Sequence, residues 1–399
     1  MPDSTTLQKS LRIKGGAARY PIVQGGMGVG ISQRELASAV SREDCVGTLS
    51  SAGLDRLVAR RLLRPSVTPR EAATLEVEAT RRLGGYAAIN IMVALQGTYE
   101  DSVRGALDGG VDVIVSGAGL PLSLPSLVRE HLGSGDHEVA LVPIVSSARA
   151  LELICKRWEK QGYRPDAVVL EGPKAGGHLG FTYKQIAAAG ERFLQEYDLF
   201  DVLLDPVLEI AERFPNAAGP LPIIVAGGIF DHADVVRALA RGASAVQMGS
   251  RFAATIESGG TELFKRTLVE ATTSDIVVST ESWGSPCGLP FRYVRTSPLA
   301  MRPRVAEAHA FCICTTLMAA AGVDRSSLLG QRGGLAKNCP EELVRRGKEQ
   351  CAAYGSADYS ALVTCGSEAH RIHRILHVRE LIAELLAIPA KDLRVAEAS

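Results

Sequence analysis

The chain has 399 residues, long enough for one large domain with an appendage or for two domains. Lys plus Arg number 44 and Asp plus Glu number 44, so there is no overall basic field of the kind that binds nucleic acid or an anionic membrane surface. Apolar residues make up 46% of the chain, which excludes disorder as the dominant state.

The first six residues, Met1 to Thr6, lack the basic patch and apolar run of a secretory signal, so a soluble, cytoplasmic protein is expected. From there, short apolar runs alternate with amphipathic stretches over the first two-thirds of the chain, the pattern of parallel strands joined by helical crossovers. Strands are predicted at residues 21–24, 46–49, 86–93, 111–116, 139–145, 167–171, 222–226 and 245–248. The seven segments between them can each hold a helix, and residues 259–272 supply an eighth. Ser32-Gln33-Arg34-Glu35 reads as a capping box, as does Thr68-Pro69-Arg70-Glu71 with proline at the first helical position. Asp231 is placed to cap the helix carrying Val235, Val236 and Leu239. Gly84, Gly110 and Gly242 each close a helix just before a strand. Ala106–Val111 and Ala238–Ala243 echo one another as helix end, glycine, buried strand.

Eight such units predict an α/β fold closed into a (β/α)8 TIM barrel over residues 1–274; an open doubly wound sheet, the competitor, usually has fewer strands per domain. Residues 275–399 alternate more weakly and are expected to form a smaller, mostly helical region over one end of the barrel. The most apolar long segment, 308–323, is interrupted by His309, Thr315 and Thr316 and is too short to span a bilayer.

Barrel active sites lie at the C-terminal ends of the strands, and here those loops are rich in glycine. They read Gln24-Gly25-Gly26-Met27-Gly28-Val29-Gly30, Ser116-Gly117-Ala118-Gly119, Glu171-Gly172-Pro173-Lys174-Ala175-Gly176-Gly177-His178-Leu179-Gly180, Ala226-Gly227-Gly228-Ile229 and Gln247-Met248-Gly249-Ser250-Arg251-Phe252. The first has the spacing G-G-x-G-x-G rather than G-x-G-x-x-G, and no acidic residue follows where a ribose would need it, so a dinucleotide fold is disfavoured. Gly227, Gly228, Gly249 and Ser250 follow the last two strands, where barrels commonly hold a phosphate on exposed backbone N–H groups; plain tight-turn chemistry is the alternative. His178 is the histidine at a strand end within a glycine-rich loop, either a group that takes and returns a proton near neutral pH or a surface residue.

Eight scattered cysteines read as free thiols in a reducing compartment. Cys312-x-Cys314 with Cys339, Cys351 and Cys365 lacks a C-x-x-C pair and has irregular spacings, so no metal is expected. His370, His373 and His377 fall on one face at helical spacing and, with Arg371, Arg374 and Arg379 nearby, suggest a solvated basic face.

Ile22 to Met27, Glu171 to Gly180, Ala226 to Ile229 and Gln247 to Phe252 together resemble the nitronate monooxygenase family, the FMN enzymes formerly called 2-nitropropane dioxygenases, related to flavin-dependent enoyl-acyl-carrier-protein reductases. Ser285-Pro286-Cys287-Gly288-Leu289-Pro290-Phe291-Arg292 looks like a further family element, and the resemblance runs from about Tyr20 to Arg292. It implies a TIM barrel holding FMN, with Gly25, Gly26 and Met27 lining the flavin and Asn90 hydrogen-bonding it. It further implies that Glu171, Gly176 and Gly177 border the pocket, that Gly227, Gly228, Gly249 and Ser250 hold the phosphate, and that Gln247 lies near the ring or ribityl chain. His178 matches the histidine assigned as base or proton handler. The implied reaction is oxidation of nitronates or nitroalkanes with O2; the alternative is NAD(P)H-dependent reduction of an enoyl thioester, and a third reading is an FMN-retaining accessory protein, against which the intact His178 counts. A homodimer is compatible with the resemblance. Lys174 stands where relatives vary, its charge being surface detail or an attraction for an anion, and Cys287 near the barrel mouth is a small filler or a site thiol.

Overall fold

The computed structural model describes residues 10–14, 16–133, 137–216, 219–281, 289–297, 300 and 362–393. An antiparallel hairpin, β1 (Leu11–Ile13) and β2 (Gly16–Ala18), comes first. The parallel strands are β3 (Ile22–Gln24), β4 (Thr48–Ser50), β5 (Ala88–Met92), β6 (Val113–Gly117), β7 (Ala140–Val145), β8 (Val168–Glu171), β10 (Ile223–Ala226) and β11 (Ala245–Met248). β9 (Gly177–His178) lies outside this sheet. Neighbours follow chain order from β4 through β5, β6, β7, β8 and β10 to β11, which pairs with β3. The ring closes just before β4, where Val46 donates to the Ile22 carbonyl at 3.0 Å and Gln24 donates to the Val46 carbonyl at 2.8 Å. This is the TIM barrel expected from the alternating runs, with all eight predicted strands in place.

The runs are almost wholly apolar because both faces of each strand are covered. Val23, Val169 and Ile224 point inward with Ala88, Val113 and Val142 to fill the barrel, and Leu11, Ile13 and Ala18 of the hairpin pack with them. Ile22, Val168 and Ile223, one residue earlier on the same strands, face the helices.

The outer layer comprises α1 (Arg34–Arg42), α2 (Leu54–Arg61), α3 (Pro69–Gly84), α4 (Gln96–Asp108), α5 (Leu124–Leu132), α6 (Ala148–Glu159), α7 (Tyr183–Ala189), α8 (Phe193–Glu196), α9 (Leu204–Arg213), α10 (His232–Ala240), α11 (Ser250–Ala253), α12 (Glu262–Glu270) and α13 (Val378–Leu386). Trp158 on α6 is fully buried and donates its indole N–H to the Pro121 carbonyl at 2.9 Å.

Two helix starts follow their sequence signals. Thr68 accepts from the Glu71 N–H at 3.1 Å with Pro69 at the first helical position, and Asp231 accepts from Asp234 at 3.1 Å. Ser32 does not cap α1, whose N-cap is Gln33 with no side-chain bond. Its hydroxyl instead accepts from Gln24 Nε2 and from the Met27 N–H, both at 2.9 Å, because the loop after β3 folds back over it. Gly84 is the last residue of α3, and Gly85 takes the positive φ of 79°.

The described part of the chain beyond residue 275 contains strands that the sequence reading did not anticipate. β12 (Ile276–Val278) and β13 (Phe291–Val294) join β9 in an antiparallel sheet ordered β12-β13-β9. The helical spacing expected of the three histidines is overturned, although His373, Arg374 and His377 are exposed: Ser367–Arg371 is a 3-10 turn, and α13 begins only at Val378. Pairing of Leu376 with Thr255, where Ile256 donates to the Leu376 carbonyl at 2.9 Å, draws the chain into an extended form between His370 and His377. Cys287, Cys312, Cys314, Cys339 and Cys351, and the apolar run at 308–323, lie outside the described residues. Cys45, Cys155 and Cys365 are buried free thiols. Among the described residues no helix is long and apolar enough to cross a membrane.

α4 reaches α3 closely at Gly105, where a Cβ would lie 2.1 Å from the Arg70 carbonyl oxygen. Gly105→Ala is therefore expected to lower the unfolding free energy by about 1–3 kcal/mol in urea titrations, although the same change on an open helix surface stabilises by roughly 1 kcal/mol. A stabilised variant would show that the two helices do not touch there.

Candidate active site

A cavity of about 490 Å³ opens at the C-terminal ends of the barrel strands. Every residue nominated from the sequence lies on its wall: Gly25, Gly26 and Met27 after β3, Asn90 on β5, Glu171 closing β8, and Gly176, Gly177 and His178 beyond it. Gly227 and Gly228 after β10, Gln247 on β11, and Gly249 and Ser250 after it complete the set.

The loop after β3 is fixed from beneath. Gly25 donates to the Met248 carbonyl at 2.8 Å, and the buried Gln24 side chain accepts from the Thr48 N–H at 2.9 Å. Gly26 must be glycine because a Cβ there would meet Asn90 Cβ at 2.4 Å and the Leu49 carbonyl at 2.7 Å. Backbone thus forms the cavity floor at this point, beside the Asn90 amide.

The Glu171–Gly180 segment is held between barrel and tail. Gly172 donates to the Ala226 carbonyl at 2.9 Å and Ala175 to the Gly172 carbonyl at 3.2 Å. The buried Arg292 guanidinium on β13 donates to the Ala175 carbonyl. β9 then pairs with β13, placing His178 opposite Phe291 with their rings edge to face at 6.4 Å. His178 therefore stands on a paired strand, not on a free surface loop.

Glu171 faces the cavity with its carboxyl group desolvated, and burial pushes its pKa up to about 7. The Gly180 N–H and the positive fields of His178 and Arg292 oppose that rise without cancelling it. Burial also lowers Arg292, to about 10, against the favourable fields of Cys365, Glu171 and Glu368.

Opposite, Gly227 and Gly228 adopt φ of 96° and 86°, a region that L side chains rarely enter. The Ser250 hydroxyl accepts from the Gly366 N–H at 2.8 Å. That bond introduces a wall the sequence reading missed, made by Thr364, Cys365, Gly366 and Glu368 of the returning segment. Val294 donates to the Val363 carbonyl at 2.8 Å, and Cys365 donates to the Arg292 carbonyl at 3.2 Å, zipping this segment onto β13. The available signal was local: apolar Leu362-Val363 running into Cys365-Gly366, a strand-then-glycine pattern like those of the barrel. Among the described residues no group of three or more His, Cys, Asp or Glu side chains is placed to hold a metal ion.

The family model described as nitronate monooxygenase matches residues 9–387. A probable nitronate monooxygenase of Bacillus subtilis is 28% identical over 280 residues, covering 65% of this chain and 73% of the relative. A Mycobacterium tuberculosis protein named (3aS,4S,5R,7aS)-5-hydroxy-7a-methyl-1-oxo-octahydro-1H-indene-4-carboxyl-CoA dehydrogenase is 27% identical over 279 residues, covering 69% of this chain and 63% of the relative. FabK from Thermotoga maritima superposes with a TM-score of 0.58 at 23% identity, covering 96% of this chain and 94% of that one, a likeness of fold.

Between pH 4.5 and 7 the folded chain holds a proton on Glu171 that the unfolded chain releases, so this group's contribution to stability is present below pH 4.5 and lost as pH rises to about 7. Thermal unfolding of wild type and Glu171→Gln across that range should show the variant gaining on the wild type as pH rises and levelling off above pH 7. A gap independent of pH would return Glu171 to an ordinary carboxylate.

Proposed function

Because the chain belongs to the nitronate monooxygenase family and is an oxidoreductase, we propose that it binds FMN in this cavity and oxidises alkyl nitronates or nitroalkanes with O2. The observation that carries the reading is a single cavity whose floor and far wall are bare glycine backbone and whose near wall presents His178 and Glu171.

The residues fit a flavin mononucleotide. Gly25, Gly26 and Met27 line the floor on which an aromatic ring system would rest, with Gly26 packed so closely on Asn90 and the Leu49 carbonyl that no Cβ fits there. The Asn90 and Gln247 side chains, on β5 and β11, present amide donors and acceptors suited to the polar edge of such a ring and its ribityl chain. Gly177, where an added Cβ would meet nothing within 4 Å, presents bare backbone to the same group, while Gly176 is held close against the backbone of Cys365 and Gly366. Gly227, Gly228, Gly249 and Ser250 offer main-chain N–H groups for a phosphate at the end of β10 and β11, the usual barrel position for one. When bound, the flavin supplies the redox centre that takes electrons from the substrate and passes them to O2.

The chain's own residues then handle substrate and proton. His178 takes the α-proton of a nitroalkane on an imidazole nitrogen, or as imidazolium holds the anionic nitro oxygens of a nitronate. Strand pairing with Phe291 fixes the ring's direction. Glu171 stabilises an adjacent imidazolium when ionised and ceases to do so below about pH 7. Val145, Phe181 and Leu289 line the cavity and exclude water from the reacting carbon.

A second reading is supported by the M. tuberculosis relative, whose name places it on a coenzyme A thioester. On this chain it becomes NAD(P)H-dependent reduction of an enoyl thioester with His178 returning the proton.

Purified protein should be yellow and release FMN on denaturation, and O2 uptake should require propionate 3-nitronate. NAD(P)H oxidation that requires an enoyl thioester would establish the second reading instead, and colourless protein that FMN does not reconstitute would defeat both. His178→Ala is expected to keep its flavin and lose turnover by about two to four decades; undiminished turnover would remove His178 from the reaction.

A further inference from the structure

We infer that Lys174 supplies the side-chain cation for the nucleotide phosphate, so that it sets the preference of this site for a phosphorylated flavin over the unphosphorylated one. The inference rests on the flavin reading above and deepens it.

Glycine N–H groups offer a phosphate dianion hydrogen bonds but no full counter-charge, so a cation within reach strengthens such a site. Among the described residues on the cavity wall at this end, the charged side chains are Lys174, Arg251 and Glu368. Arg251 is already engaged: it pairs with Glu384 at 2.8 Å, stacks 4.5 Å from the centre of the Phe230 ring, and is 13% exposed. Its guanidinium is held below its usual pKa, first by burial and also by the neighbouring cations Arg371 and Arg374.

Lys174 is less committed. Its Nζ lies 3.6 Å from Glu368 Oε1, at the outer limit of an ion pair, and its side chain is 39% exposed. Glu368 also faces Arg371 at 3.5 Å and accepts from the Ser367 hydroxyl at 3.2 Å, so its single negative charge is shared between two cations. Arg371 in turn pairs with Asp231 and Asp234 and stacks 4.2 Å from the Phe230 ring centre, and it is not among the residues that line the cavity.

The position of Lys174 is set by backbone. Its carbonyl accepts from the Ser367 N–H at 3.0 Å, and the next carbonyl, that of Ala175, is held by Arg292. The aliphatic stem crosses Gly228, where a Cβ would stand 2.8 Å from Lys174 Cδ. The stem therefore lies against Gly228, the second of the two glycines after β10, and carries the ammonium from there toward Glu368 on the same cavity wall.

The test is titration of flavin-free full-length protein with FMN and with riboflavin, followed by quenching of flavin fluorescence at two salt concentrations. Lys174→Met should raise the FMN dissociation constant about five- to twentyfold at low salt, a half-exposed charge pair being worth less than a buried one. It should leave the riboflavin constant within about twofold and flatten the salt dependence of FMN binding. Lys174→Arg should restore most of the FMN affinity. Unchanged FMN affinity would overturn the inference, as would equal weakening of both flavins, which would mark the stem on Gly228 as purely structural. If the wild-type protein takes up neither flavin, the parent reading fails and this one with it.

Discussion

The candidate site depends on one buried cation. Arg292 is 4% exposed, and its guanidinium donates to the Ala175 carbonyl in the middle of the segment that carries Lys174, Gly176 and His178. Desolvating a guanidinium is costly unless carbonyls and carboxylates surround it, and here Ala175, Glu171 and Glu368 do. The same residue's backbone carries both β9, through its register with Gly177, and the returning segment, through the Cys365 N–H. One residue on β13 therefore joins three parts of the cavity wall: the end of β8, the histidine strand and the tail. Removing its charge would leave the Ala175 carbonyl without that donor and free Glu171 from one of its two opposing positive fields.

The barrel beneath tolerates this because its own stability comes from elsewhere. Its interior is filled by small and β-branched residues such as Ala88, Val113, Val169 and Ile224, and the β1–β2 hairpin packs its Leu11, Ile13 and Ala18 into the same cluster. The helical layer is a separate and larger apolar cluster around Leu36, Ile154, Trp158 and Phe252. With both clusters complete, the strand ends are free to expose glycine backbone and a desolvated carboxyl, features that weaken a fold if they fall in its core.

What the sequence made legible follows from the range of the interaction involved. The eight strands could be read because burial on two faces leaves a nearly unbroken apolar run, and the caps at Thr68 and Asp231 because a cap is a contact over three residues. Ser32 fitted the same local pattern and was misread, since its hydroxyl serves a turn that only tertiary folding brings near it. The spacing of His370, His373 and His377 suggested a helix for the same reason, and the Thr255–Leu376 pairing overrode it. The contacts of Arg292 with Ala175 and of Gly366 with Ser250 were not legible, because the partners lie more than a hundred residues apart and no periodicity encodes such a contact; only the strand-then-glycine run at Leu362 to Gly366 carried a local signal. The glycine loops were readable because the requirement for bare backbone is written in the residue type itself, as at Gly26 and Gly228.

The charges around the cavity are arranged with a direction. Glu171 and His178 line the same cavity on the β8 side, where the field of His178 opposes the burial-driven rise of the Glu171 pKa to about 7. Across the cavity the wall carries the cations Lys174 and Arg251 against the single carboxylate of Glu368; Arg251 also stacks on Phe230 beside Arg371 and shares Glu384 with Arg374, and it feels both neighbouring cations as repulsion. An elongated ligand with an anionic tail and an uncharged head would have one favourable orientation here, tail toward the cations and head toward the imidazole. Reversing it would set the tail against Glu171 and leave the cation cluster without an added anion. Electrostatic asymmetry of this kind discriminates between orientations more than it adds affinity, and it is the orientation the proposed function calls for, with the anchor at the end of β10 and β11 and the reacting group toward His178.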